Sequence, residues 1–254
     1  MENRELNEFA AQETPRWRWS DLILISLGAG IILFIGVVLM GLILGLQGID
    51  VNAGMVRPTI EMSLVLTVLE AVALIGGVYF FGMRRRGIGW KGIGLRQISL
   101  KWFIIVIVIA LLGIPITGLI TLLILQLLNQ PFSNPQLDFL VPQDFSWPGA
   151  IGLVFLGGFV VPFAEELLFR GVLYRFIRSR WGVWEGVFLS SLIFGAIHLD
   201  IAVGITAFIL GIALALLFEY SHSLWTSILL HALNNTFRIL LLYVFIALGI
   251  NLGI

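Results

Sequence analysis

Seven ionisable side chains interrupt otherwise apolar stretches of this chain: Glu70, Glu165, Glu166, Arg170, His198, His231 and Arg238. Inside a membrane-spanning helix each costs about 2.5 to 3.5 kcal/mol or more, so each needs a partner or a function. Asp21, Asp200 and Glu219 lie close enough to the ends of apolar stretches to stay wet. His222, in the short loop from Ser221 to Ser223, reads as surface.

Glu166 precedes Arg170 by four residues, the spacing and order at which an acid and a base pair favourably on one helix face. Glu165 points about 100° away around the same helix and is too far round to share that guanidinium. Glu166 therefore reads as structural, while Glu165 faces a neighbouring helix with no local cation. A carboxylate in poor solvent is a competent general base. His198 ends the run Phe194, Gly195, Ala196, Ile197, His198, and alone it reads more often as a packed, hydrogen-bonded histidine than as a catalytic one. His231 and Asn235 share a face at i and i+4, a pattern that fits either a polar guest or polar contacts between helices. Glu165, His198, His231 and Asn235 come from three separate stretches, and the cheapest place for all of them is one shared interior cavity. There a carboxylate and a histidine can activate a water, and the other histidine with the amide can donate to the oxyanion formed at a peptide carbonyl. No serine or cysteine nucleophile is required.

The elements that must position these groups follow from composition. The 254 residues are 59% hydrophobic and only 12% charged, and mean hydropathy is +1.03. A soluble domain carries about 25% charged residues, so water is not the main solvent here. Net charge is zero and no basic tract occurs, which leaves nucleic acid without an electrostatic footing as a partner. The absence of cysteine excludes disulfides and thiolate chemistry. Crossing the hydrocarbon core takes about 20 apolar residues, and candidate spans lie near 21–46, 62–83, 102–128, 149–171, 184–199, 202–220 and 224–249. The expected fold is all-α, a polytopic transmembrane bundle of seven or eight helices around an intramembrane polar cavity. An eighth helix arises if the last span breaks near Asn234 to Arg238. Span 184–199 is short and is expected to end inside the membrane.

Residues 1–20 read as a polar tail without the features of a signal peptide. Residues 21–254 read as one transmembrane domain, with a catalytic core at about 148–250. Arg84, Arg85, Arg86, Lys91, Arg96 and Lys101 follow the second span, and Arg170, Arg175, Arg178 and Arg180 follow the fourth. The loops 47–61 and 129–147 are poor in base, so the N-terminus is expected to be cytoplasmic. Gly41 and Gly45 in the first span, and Gly152, Gly157 and Gly158 in the fourth, predict close helix packing. One tension concerns depth. His198 lies deeper than Glu165 and His231 if its helix starts at Trp184, so convergence needs a later start or an inward tilt at Pro162.

Three ordered motifs carry a resemblance: Glu165, Glu166, x, x, x, Arg170; then Phe194, x, x, x, His198; then His231, x, x, x, Asn235. In these the chain resembles the CAAX protease and bacteriocin-processing family of intramembrane glutamic endopeptidases. The motifs cover residues 161 to 235, and none falls in residues 1–147. The resemblance implies that Glu165 and His198 activate the water, that His231 and Asn235 stabilise the oxyanion, and that no metal or other cofactor is needed. It also implies a hydrophobic or lipidated peptide substrate, prenylated in the best-known members, reached from membrane lipid. Competing readings are a zinc hydrolase using the same carboxylate and histidines, a proton-coupled transporter with Glu70 and Glu165 as relay carboxylates, and a non-catalytic lipopeptide-binding protein.

Overall fold

A computed structural model describes residues 16–46, 59–129 and 146–248. The first fifteen residues of the expected tail, and most of both base-poor loops, lie outside them. Among the described residues eight helices follow in order: α1 Trp19–Leu46, α2 Ile60–Arg84, the one-turn α3 Trp90–Ile93, α4 Leu100–Leu127, α5 Trp147–Trp181, α6 Val183–Ala196, α7 Ile201–Ser221 and α8 Leu224–Ala247. Six of them, all except α3 and α6, are long and apolar enough to cross a membrane. Their outward faces carry Leu27, Phe34, Leu111, Leu122 and Ile151, each more than half exposed. Such faces are stable only against hydrocarbon. The protein is thus a multi-pass, all-helical membrane bundle.

The last span does not break near Asn234 to Arg238. Its ladder runs unbroken to Ala247, and the eighth helix is instead the short α3. Gly41 and Gly45 depart from the packing expectation, because no described atom lies within 4 Å of where a Cβ would stand at either. Gly152 meets Leu64 and Gly158 meets Thr236, as expected.

α5 is the element on which the site is built, and it is not a uniform helix. Its ladder widens to π-type over Leu156–Val160 and again over Phe169–Tyr174. Pro162 has no N–H to donate, so the Gly158 carbonyl four residues earlier loses its usual partner. Thr236 Oγ1 on α8 donates to that carbonyl at 3.3 Å. In the second widened turn the Gly171 carbonyl accepts from Trp17 Nε1 at 2.8 Å. Trp17 is 1% exposed, so the chain is already packed into the bundle two residues before α1 begins.

Arginine-rich ends of α2 and α5 meet the start of α1. Arg85 pairs with the buried Asp21 at 3.0 Å, Arg86 donates to the Arg16 carbonyl, and Arg180 donates to the Trp17 carbonyl. At the same end, Arg178 and Tyr174 of α5 hold Glu219 of α7 at 2.6 to 2.7 Å. The Leu224 amide donates to the Gly94 carbonyl at 2.7 Å, which ties the first residue of α8 to the turn after α3. These bonds fix how far α5, α7 and α8 are slid along one another.

α6 is short, as expected, but it stops at Ala196 rather than running to 199. Gly182, at a φ of +109°, lets the chain reverse sharply between α5 and α6. At the other end Leu199 adopts a left-handed φ of 58°, and Asp200 Oδ1 accepts from the Val203 amide to start α7. His198 therefore sits in the turn between two helices. A Cβ on Gly195 would come within 2.5 Å of the Gly204 carbonyl oxygen, so only glycine lets α6 and α7 approach this closely beneath His198.

Candidate active site

The Val161–Leu168 segment of α5 lies between the two widened turns and carries both glutamates. Glu166 and Arg170 are each fully buried and pair at 2.7 Å, as the four-residue spacing predicts. A second group joins them that spacing alone does not reveal. His231 Nδ1 on α8 lies 3.0 Å from Glu166 Oε1, the oxygen that also receives Arg170. Arg170 Nη2 donates to the Gly211 carbonyl of α7 at 3.1 Å, so one guanidinium links three helices. A carboxylate and a guanidinium taken wholly out of water persist only when paired and hydrogen-bonded in this way.

Glu165 looks elsewhere. Its side chain is 12% exposed, and Oε2 lies 3.5 Å from His231 Nε2. The two adjacent glutamates thus flank one imidazole: Glu166 at Nδ1, sealed in the core, and Glu165 at Nε2, within reach of a guest. Arg238 bonds Asn234 and Thr117, and among the described residues Glu70 of α2 makes no ion pair with it.

His198 and His231 are brought together through Phe194. That ring is 1% exposed and meets His198 edge-on at 5.2 Å, His231 at 5.5 Å and Phe169 at 4.9 Å between ring centres. The Arg170 guanidinium lies 4.7 Å from its centre. His198 Nδ1 is 2.7 Å from the Phe194 carbonyl, which can only accept, so Nδ1 carries the proton and Nε2 is left as an acceptor. No hydrogen bond or ion pair joins His198 to Glu165. α6 does not start later than expected but at Val183, and its early end at Ala196 leaves His198 in the α6–α7 turn.

Asn235 lies one turn along α8 from His231. Its Nδ2 faces the Gly157 carbonyl at 3.5 Å, and its Oδ1 accepts from Asn234 at 3.1 Å. Of the groups picked out by residue type, Glu165, Glu166, Arg170 and His231 form one contact network, His198 joins across Phe194, and Asn235 borders it. Among the described residues no group of three or more His, Asp and Glu is placed to hold a metal ion.

Residues 147–237 match the family model described as Type II CAAX prenyl endopeptidase Rce1-like. All six residues above fall within the match. Over these residues the chain is similar to the CAAX protease family. A Bacillus subtilis (strain 168) protein named "Putative membrane peptidase YdiL" is 26% identical over 89 residues, which cover 35% of this chain and 36% of that protein. The chain thus spans about a third of the length of that relative. No solved structure gives a significant match.

Within the matched segment, Phe194 is the residue whose importance motif spacing understates. Phe194→Leu conserves hydrophobicity but not shape, and is expected to cost about 1.5 kcal/mol or somewhat less. The check is thermal unfolding of the purified protein. Because both imidazoles rest on the ring, turnover should fall further than the stability loss alone accounts for.

Proposed function

We propose that this protein is an intramembrane glutamic endopeptidase that hydrolyses a peptide bond in a hydrophobic or lipidated peptide, without a bound metal. The observation that carries the reading is the division of labour between neighbouring glutamates. Glu166 is consumed by Arg170 and His231 Nδ1, while Glu165 has no guanidinium partner and faces His231 Nε2.

In this reading Glu165 takes a proton from water as its oxygen bonds to the scissile carbonyl carbon, and His198 shares that water through its unprotonated Nε2. His231, donating at both nitrogens, satisfies Glu166 on one side and the developing oxyanion on the other. Asn235 Nδ2 gives a second donor. Collapse of the tetrahedral adduct breaks the C–N bond, and the proton taken by Glu165 passes to the leaving amine. The two histidines thus differ by what their Nδ1 atoms touch: a carbonyl for His198, a carboxylate for His231.

The same reading places the protein in the cell membrane with its N-terminus and arginine-rich end cytoplasmic, by the excess of base at that end. Asn235→Ala should leave the fold intact and slow turnover by about 10² to 10³, the cost of one oxyanion donor. A steady-state assay with a cleaved peptide in proteoliposomes checks this. Activity that survives exhaustive chelation supports a metal-free mechanism, whereas loss restored by zinc would replace it.

A further inference from the structure

Arg170 and Arg238 both reach between the spanning helices, and they are treated differently. Arg170 is neutralised by Glu166. Arg238, in the second half of α8 between Phe237 and Ile239, has no carboxylate partner among the described residues: its Nε donates to Asn234 Oδ1 at 3.3 Å and its Nη2 to Thr117 Oγ1 of α4 at 3.0 Å. Both acceptors are neutral, and Nη1 has no hydrogen-bond partner among the described residues. A glutamine could make similar bonds between α8 and α4 without burying a charge. A cation that is oriented but not neutralised in such surroundings marks a binding function.

Its place on α8 indicates what it binds. Arg238 follows His231 by seven residues, which sets it about 20° from His231 around the helix and about 10 Å along it. That separation equals two or three residues of extended peptide, at about 3.3 Å each. The bond to Asn234 shows the side chain folded back towards the His231 end, as long side chains on helices do.

We propose that Arg238 is an oxyanion-binding subsite that takes the free C-terminal carboxylate of a peptide lying across His231 and Asn235. It would set the distance between the scissile bond and the chain end. This rests on the peptidase reading for its alignment, but the subsite can be tested without catalysis. A lipid phosphate presents the same chemistry, and the experiment separates the two sources.

The test measures binding of N-acetyl-trileucine and its C-terminal amide to the full chain in phosphatidylcholine nanodiscs, for the parent protein, E165Q, R238Q and R238K. The acid is expected to bind about tenfold tighter than the amide in the parent and E165Q alike. The preference should vanish in R238Q and persist in part in R238K. R238Q should melt no lower than the parent, because it removes an uncompensated charge. Equal binding of acid and amide to the parent, or a preference that survives R238Q, overturns the subsite whatever becomes of catalysis. Unchanged selectivity with a lower melting temperature makes Arg238 a structural donor and also overturns it. If added phosphatidylglycerol abolishes the acid preference in the parent and leaves R238Q unaffected, the oxyanion site stands and lipid phosphate competes for it.

Discussion

Glu165→Gln is expected to reduce peptide hydrolysis to background while the protein folds, inserts and binds peptide as before. The amide has nearly the shape of the carboxylate and can still meet His231 Nε2, so little packing is disturbed at a side chain that remains 12% exposed. What it cannot do is accept the proton of the attacking water. Loss of a positioned general base costs about 10² to 10⁴ in rate, and here His198 is left holding a water with no strong base beside it. Single-turnover cleavage of a verified substrate peptide is the measurement, with peptide binding followed in parallel. Glu165→Asp should retain a fraction of the rate, since the charge survives but is drawn back by one methylene. Parental cleavage by Glu165→Gln would remove the proposed mechanism, and peptide binding with no cleavage by the parent would instead favour a binding protein.

The spans were legible because hydrocarbon imposes a length and a composition, and both are written residue by residue. The Glu166–Arg170 pair was legible because it is local to one helix. Less visible were features that exist only between helices. Glu166 bonds His231 across 65 positions of sequence, and nothing in the spacing of either motif specifies which of the two glutamates meets which ring nitrogen. The widened turns of α5 were hidden as well, although Pro162 and the Gly157–Gly158 pair hinted at them: a missing N–H and two unshielded carbonyls are what Asn235 and Thr236 now face. His198 was placed inside its helix because apolar residues continue to Leu199. The left-handed turn at Leu199 depends on the close approach of Gly195 to α7, a tertiary contact.

Glu166→Ala is expected to destabilise the protein by about 3 to 5 kcal/mol, the usual cost of removing one partner of a buried ion pair. One oxygen of Glu166 receives both Arg170 Nη1 at 2.7 Å and His231 Nδ1 at 3.0 Å, so the substitution strands two donors at once. Arg170 cannot escape to water, being fully buried between Phe169, Phe194 and the Gly211 carbonyl. A role confined to catalysis would leave unfolding unchanged, and a role confined to structure would be repaired by any substitution that restores packing. The double variant Glu166→Leu with Arg170→Met separates these. Replacing both charges with apolar groups of similar size should recover most of the lost stability. It should not recover hydrolysis, because His231 would then have no acceptor at Nδ1 to fix its ring and proton towards the oxyanion. Denaturant unfolding and peptide cleavage measured on the same preparations give the answer. Restored turnover in the double variant would show that Glu166 only balances a charge, and normal unfolding of Glu166→Ala would show that the pair does not hold the core.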